Sequence, residues 1–362
     1  MRLILLKCNG LFTLLYLLFC INLLYAQDYD IKYIGIPEGL SQGMVTSMCQ
    51  DKDGFIWVGT LSGLNRYDGY RFKTYLHHAT DDYSLSNNSI IGLFEDSKGR
   101  IWVGTPEGID CYDRNTGRFY HLGAISNSEN KRVENITPSF ESADGHIWML
   151  GAMKVVEMEV PDDFPINPQS KDKITFSTFA SEEGLPSVNL FDLYLNKLYN
   201  GQVGIMLPDD IGFTYNSTNR VWKEASNIVN PGNLDEYANE LVYDSYRNGY
   251  WALSNFTLQF ISKGSIQLKL SLPQLNIPCT RSHINNKLFY ADKQGVLWIL
   301  VDHNNIRRLY RILPADINGG HGVKVERPLQ TNDRTTECKE LLIDRQGTIW
   351  LGTTGYGLIQ II

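Results

Sequence analysis

The amino-acid sequence predicts an all-β fold: a seven-bladed β-propeller of four-stranded antiparallel blades, its ring closed by an N-terminal strand that completes the last blade. Three observations carry this prediction. A Trp-centred phrase recurs along the chain at nearly constant spacing. Each clear copy contains four short strand signals separated by turn residues. The last copy stops one strand short, and an unassigned strand precedes the first.

The first copy, Asp51–Asp68, reads DKDGFIWVGTLSGLNRYD, and Asp96–Asp113 reads DSKGRIWVGTPEGIDCYD. Further copies are DGHIWML at Asp144–Leu150, NGYWAL at Asn248–Leu253, QGVLWIL at Gln294–Leu300 and DRQGTIWLGT at Asp344–Thr353. Trp57, Trp102, Trp148, Trp251, Trp298 and Trp350 are therefore spaced by 45, 46, 103, 47 and 52 residues. The long gap holds a seventh, weakened unit at Asn200–Tyr215, NGQVGIMLPDDIGFTY, with Gly204 at the Trp position. Only Trp222 lies outside this register.

The elements follow in chain order. Arg2 and Lys7 precede an uncharged run from Leu11 to Leu24, and Ala26 offers a small residue for cleavage. This is the pattern of a secretory signal peptide, residues 1–26, and it points to the periplasm. The alternative is an uncleaved anchor, although the run is shorter than the ~20 residues a spanning helix needs. In the first unit, Val45–Gln50 is the first strand. Asp53-Gly54 makes a tight turn into Phe55–Thr60, because Gly accepts positive φ. Ser62-Gly63 turns into Leu64–Tyr67, and Asp68-Gly69 turns into Arg71–Leu76. The Trp sits at one address in every second strand, which predicts packing between adjacent blades. Gly204 then predicts a thinner contact at the fourth blade. After Trp350 the chain runs LGTTGYGLIQII, three strands without a fourth. Tyr29–Ile36 leads into GLSQGMV as a fourth strand leads into SLSNNSI at Ser84–Ile90, so it completes the seventh blade. Residues 27–362 then form one propeller.

Composition narrows the function. The chain is 43% hydrophobic and 12% aromatic, enough for a large core. Of 33 basic residues, Arg2 and Lys7 belong to the leader, leaving 31 against 40 acidic residues and a net charge of −9. With no long basic block, nucleic acid is not an expected partner. Cys49, Cys111, Cys279 and Cys338 have no CxxC spacing, so no metal or thioredoxin-type site is expected. Closure brings the first and last units together, so Cys49 and Cys338 could approach, although buried thiols suffice as an explanation. No cofactor is expected. DKDG lacks the longer ligand ladder and terminal Glu of a calcium loop, and the Asp-Gly dipeptides read as hairpin turns.

The recurring phrase, with its Asp and Gly turn, IW(V/L)GT, Gly-Leu or Gly-Ile, and YD, resembles the repeat of the two-component regulator propellers. These form the periplasmic sensor region of Bacteroides-type hybrid two-component systems. The resemblance is strong at the first, second and seventh units, fair at the third, fifth and sixth, and poor at the fourth. It implies a propeller that senses glycans or oligosaccharides and regulates polysaccharide-utilisation genes through a histidine kinase and a DNA-binding regulator. It also implies, as expected partners, further propeller, β-sandwich and histidine kinase domains carried outside these 362 residues, or a dimer partner.

The connections from fourth to first and from second to third strands lie on one face, with the hairpins on the other. The first face carries His77–Asn88, His121–Asn135, Ala225–Glu240, Leu272–Asn286 and Gln330–Glu337. Function commonly sits on such loops. They bring together Tyr83, Asn88, Arg132, Tyr237, Arg281, His283 and Arg334 as candidate contacts for an oligosaccharide, with arginines suited to an acidic sugar. Pro161–Asp172 lies on the opposite face and is expected to be a flexible insertion or partner contact. An enzyme, either a streptogramin-lyase-like or a glycan-cleaving propeller, is the alternative, as is a free-standing protein-binding scaffold. No GxSxG, HExxH or H-x-H motif supports catalysis. Glu182, Glu183 and Asp333 are ordinary acidic-surface residues, and His283 is the least implausible base. No catalytic residue is assigned.

Overall fold

The computed structural model describes residues 29–122, 124–125, 132–151, 154–179, 184–185, 194–197, 203–206, 212–225, 240–254, 256–263, 265–278, 289–303, 306–313, 324–327 and 338–362. The expected signal peptide and Cys279 lie outside them. The described residues form seven four-stranded antiparallel sheets and one two-stranded ribbon. In blade 1 the strands are Val45–Gln50, Ile56–Thr60, Gly63–Tyr67 and Phe72–Tyr75, hydrogen-bonded in chain order. Blades 2 to 6 repeat this order, each a chain-contiguous sheet. The ribbon pairs Ala124–Ile125 with Arg132–Val133 in the crossing from blade 2 to blade 3. In blade 7, Cys338–Ile343, Ile349–Thr353 and Leu358–Ile361 are completed by Ile31–Ile34, paired antiparallel from Ile31 on Ile361 to Ile34 on Leu358. The N-terminal strand thus closes the ring, and closure covers the edge that Leu358–Ile361 would otherwise present.

The tryptophans build the seams between blades. Trp57 is fully buried with Leu85, Ile90 and Tyr112 of blade 2 and its lead-in. Trp102 packs with Ile136 and Met149 of blade 3, and Trp148 with Val203 and Tyr215 of blade 4. Trp350 packs with Val45 and Val58 of blade 1, which continues the core across the closure. Trp222, outside the repeat register, lies on the outer strand of blade 4 and meets Trp148 edge-on, with ring centroids 6.0 Å apart. It supplies aromatic bulk to a blade whose second strand has Gly204. Among the described residues, blades 3 and 4 share one buried cluster and blades 5 to 7 another.

The glycine of IW(V/L)GT is required by the neighbouring blade. A Cβ on Gly59 would sit 2.6 Å from Ile90 Cγ2, one on Gly352 2.6 Å from Val45 Cγ1, and one on Gly104 2.0 Å from the Ile136 carbonyl oxygen. The threonine that follows caps the turn into the third strand. Thr60 Oγ1 donates to the Gly63 carbonyl at 2.9 Å and accepts from Ser62 N at 3.1 Å. Thr105 and Thr353 repeat the arrangement.

One expectation is corrected. Pro161–Asp172 is a docked clasp. Phe164 is 2% exposed, packs against Trp102 and Tyr120, and its backbone and that of Pro161 accept from the Arg100 guanidinium. Burying one large ring on the preceding blade outweighs the freedom suggested by the polar composition. Cys49 and Cys338 are not disulfide-bonded, in line with the thiol reading, and belong to different seams. Cys49 packs toward blade 2, and Cys338 is buried in the cluster of blades 5 to 7.

Candidate functional site

The loop face is a built surface rather than loose connections. The segment that crosses from blade 1 to blade 2 is tied to the second-to-third turn of blade 1: Gly63 N donates to the Asn88 carbonyl at 2.7 Å, and Ile90 N to that of Thr60 at 2.9 Å. One seam later Ile136 N makes the bond equivalent to that of Ile90, to the Thr105 carbonyl at 3.4 Å, and Asn135 N donates to the Pro106 carbonyl at 3.2 Å. Within the crossing, Asn88 Oδ1 accepts from His77 N at 2.7 Å, and Ser84 Oγ accepts from His78 N at 2.9 Å.

Of the candidate ligand contacts, Tyr83 and Asn88 have described side chains. Tyr83 is 43% exposed, lies edge-on to Tyr120 and sits under the Arg118 guanidinium at 4.4 Å. Its carbonyl accepts from Phe119 N, which places it on the outer strand of blade 2. Asn88, in the same crossing, is bonded through its carbonyl to the turn of blade 1. Arg132 is in the ribbon, but its side chain, together with Tyr237, Arg281, His283 and Arg334, lies outside the described residues.

Sequence reasoning missed a polar constellation on this face. Ser86 N and Oγ donate to Asp110 Oδ2 at 2.8 and 2.9 Å, and Ser86 Oγ lies 3.0 Å from Thr105 Oγ1. Asp110 Oδ1 lies 2.8 Å from His121 Nδ1. Blade 1 has the same design with Ser41, Thr60 and Asn65. Asp110 is 1% exposed, and its hydrogen bond holds the His121 pKa above the usual range against the opposing effect of burial. The signal was available in sequence: Ser41 and Ser86 precede the first two phrases at the same distance, and Asn65 and Asp110 share one place in the third strand.

The hairpin face carries a second system. The first Asp of each clear phrase accepts from its Trp, buried at Asp51, Asp96 and Asp244 and half-buried at Asp292 and Asp344. Asp51 Oδ1 accepts from Asp53 N and Phe55 N at 3.0 Å each, while Oδ2 accepts from Trp57 Nε1 at 2.7 Å. Asp96, Asp244, Asp292 and Asp344 serve Trp102, Trp251, Trp298 and Trp350, and Ser142 replaces the carboxylate for Trp148. These aspartates therefore do more than form turns.

A pocket of about 260 Å³ opens on this face between blades 3 and 4. Its lining includes Asp144, His146, Glu157, Glu159, Tyr215 and Arg220. His146 Nδ1 lies 2.8 Å from Glu157 Oε1 and 3.9 Å from Asp144 Oδ2, and Arg220 lies 3.6 Å from Glu157 Oε2. Burial lowers the His146 pKa, but the Glu157 hydrogen bond and the Asp144 charge outweigh it and leave a net upward shift. Among the described residues, no group of three or more His, Cys, Asp or Glu side chains could hold a metal ion, and no helix is long and apolar enough to cross a membrane.

Comparison with known proteins gives two of the repeats a family match. The two component regulator propeller model matches residues 39–62 and 84–107, the phrases of blades 1 and 2. Histidine kinase P4 of Formosa agariphila is 38% identical over 79 residues, which is 21% of this chain and 6% of that protein. An extracellular domain assigned to a hybrid two component system of B. thetaiotaomicron superposes over 92% of this chain and 42% of its own, with TM-score 0.63 and 19% identity. A streptogramin B lyase superposes over 92% of this chain and 98% of its own, with TM-score 0.57 and 12% identity. This chain thus spans less than half of the sensor-type proteins it is compared with, and at these identities the two superpositions establish fold. The repeats of blades 1 and 2 are thus similar to two component regulator propeller repeats.

Proposed function

We propose that this propeller is the ligand-sensing part of a two-component pathway, working in the periplasm and reporting an oligosaccharide to histidine kinase machinery carried outside this chain. The observation that supports this most directly is the match of the repeats of blades 1 and 2 to the two component regulator propeller. The stretch shared with a protein named as a histidine kinase agrees with it. The loop face suits the role because its crossings are pinned to the blades, so a ligand meets preset groups such as Ser86 and His121, both held from beneath by the buried Asp110. In this proposal the chain does not catalyse, and the regulated genes serve polysaccharide use.

The test is thermal unfolding of residues 27–362 against a panel of oligosaccharides, with the sugar analysed afterwards. A ligand that binds only the folded state raises the midpoint. The expected result is a raised midpoint with one glycan class recovered intact. Cleavage of the glycan would overturn the non-catalytic reading. A cooperative transition that is indifferent to the whole panel would overturn the oligosaccharide assignment and favour a protein-binding scaffold.

A further inference from the structure

The first strand of each blade lies innermost. Among the described residues, the first strands of blades 7, 1, 2 and 3 touch in turn, as do those of blades 5 and 6. The turns that join first to second strands therefore ring the central axis on the hairpin face. In blades 6, 7 and 1 the residue after the Trp-bonded Asp is a cation: Lys293, Arg345 and Lys52. Each reaches the next blade. Lys293 Nζ donates to the Arg345 carbonyl at 2.7 Å, and Arg345 Nη1 donates to the Lys52 carbonyl at 3.0 Å. The Lys52 stem lies over Gly99 of blade 2, where a Cβ would meet its Cδ at 2.7 Å. The three side chains thus form one arc, stepping by no more than about the 10 Å that separates stacked sheets.

Their charges are not neutralised within the chain. At the corresponding turns of blades 2 and 5 the cations face carboxylates: Lys98 faces Asp162, Arg100 faces Asp96 and Arg247 faces Asp244. Lys52, Arg345 and Lys293 make no ion pair among the described residues. The neighbouring carboxylates are engaged elsewhere. Asp292 and Asp344 accept from Trp298 and Trp350, Glu95 accepts from Arg114 and from Lys52 N, and Asp53 pairs with Arg114. All three cations are exposed, yet the Arg345 head is held by Gln50 Oε1 at 3.2 Å as well as by the Lys52 carbonyl. A chain with a net charge of −7 therefore keeps three cations side by side, and an anion from outside relieves their mutual repulsion.

The groups beside the arc indicate which anion. Gln50 Nε2 donates to Gln346 Oε1 at 3.0 Å across the ring closure, and Gln294 and Gln346 are exposed at the turns. An amide offers donor and acceptor together, as a hydroxyl requires. At its blade 5 end the arc runs into tyrosine rings. Tyr246 is 63% exposed and lies against Gly295 of blade 6, and Tyr243, 50% exposed, packs on Tyr250 with centroids 5.1 Å apart. Rings with an apolar face and a polar tip match the two characters of a pyranose.

We propose that this arc binds an acidic oligosaccharide, with its carboxylates on Lys293, Arg345 and Lys52, its hydroxyls on the glutamine amides and a sugar ring against Tyr246. Arg345 uses Nε and Nη1 within the chain, which leaves Nη2 for a carboxylate oxygen. The inference rests on the reading that the chain binds sugars, but it uses no loop-face residue and adds that the sugar is acidic.

The experiment is calorimetric titration of residues 27–362 with tetragalacturonate and with its methyl ester, which keeps the rings and removes the charge. Tetragalacturonate is expected to bind in the millimolar range or tighter, the ester at least about tenfold more weakly, and added salt to weaken only the charged sugar. The triple variant Lys52→Gln, Lys293→Gln, Arg345→Gln is expected to lose at least about tenfold in affinity. Lys269→Gln, which removes an exposed cation from the outer strand of blade 5, should lose less than about twofold. Circular dichroism checks folding, and if the triple variant does not fold, Lys293→Gln and Lys52→Gln singly are each expected to weaken binding about threefold. No heat at millimolar tetragalacturonate, equal affinity for the ester, or unchanged binding in the folded variants would each overturn the proposal. Tighter binding of hexaglutamate would overturn it in favour of an acidic protein segment. The sensor reading survives any of these results if another glycan, or the same one in the triple variant, still raises the thermal midpoint.

Discussion

The bond between Asp51 and Trp57 should couple the turn of a blade to its seam, and a double-mutant cycle measures that coupling. Asp51 is 1% exposed and Trp57 is fully buried. In Asp51→Asn the amide oxygen can still accept from Asp53 N and Phe55 N, but the NH₂ group then faces the indole N–H, donor against donor. Losing a hydrogen bond to a charged acceptor and leaving a buried donor unmet costs about 3 kcal/mol. Trp57→Phe removes the same bond from the other side and adds a packing loss, for about 2–4 kcal/mol in total. Once the ring N–H is gone, the Asn NH₂ no longer opposes it, so the double variant should lose less than the sum, by about 2 kcal/mol. The contact of Arg114 with Asp51 at 3.4 Å is lost in both Asn variants and cancels in the cycle. The assay is urea unfolding of the four proteins with a shared m-value. Coupling below about 0.5 kcal/mol would refute the reasoning, leaving the aspartate explained by its turn alone.

Three further outcomes follow from the same geometry. Gly104→Ala puts a Cβ 2.0 Å from the Ile136 carbonyl oxygen, a backbone atom that cannot move aside, and should destabilise by about 3 kcal/mol. Gly54→Ala, at φ 95° but with nothing within 4 Å, should cost only about 1–2 kcal/mol in the same denaturant assay. Phe164→Ala should cost about 3–5 kcal/mol and expose the clasp at 161–173 to limited proteolysis, whereas Ile166→Ala, at an exposed position, should be near neutral. His121 should titrate by NMR above a reference imidazole, because Asp110 favours its charged form. Its contribution to stability is full below the unfolded pKa of about 6.5 and is lost as pH rises through the folded value, so His121→Gln should flatten that slope.

Much of the fold was legible because each blade repeats one solution to one packing problem. The Trp address, the turn dipeptides and the surplus strand at Tyr29–Ile36 each point to the closed ring on their own, and periodicity makes them reinforce one another. Other features were not read, although they lie in the same letters. IW(V/L)GT states that a glycine follows the strand, but the reason is the backbone of the next blade at Ile136 or the side chain at Ile90, which no single repeat contains. The clasp was misjudged for a similar reason. PDDFPINPQSKD is polar on average, and the one residue that decides its placement is Phe164, whose partner Trp102 lies in the preceding blade.

The same argument explains why the seam pocket escaped notice. A residue inside a blade is constrained by its own sheet, so its type can be read from strand period and turn chemistry. A seam residue is constrained by a position one repeat away. Replacing Arg114 by its counterpart Ser217 changes nothing within the hairpin, since both turns close with the same Asx geometry. It changes only what Asp144 faces across the seam. The groups around it differ as well: Ser142 stands where blade 1 has Asp51, Lys197 where blade 2 has Glu95, and Glu157 opposite Trp148 where blades 1 and 2 have Arg66 and Cys111. Seam residues thus differ from one blade to the next as a set whose members lie in two repeats, so no single phrase reveals them.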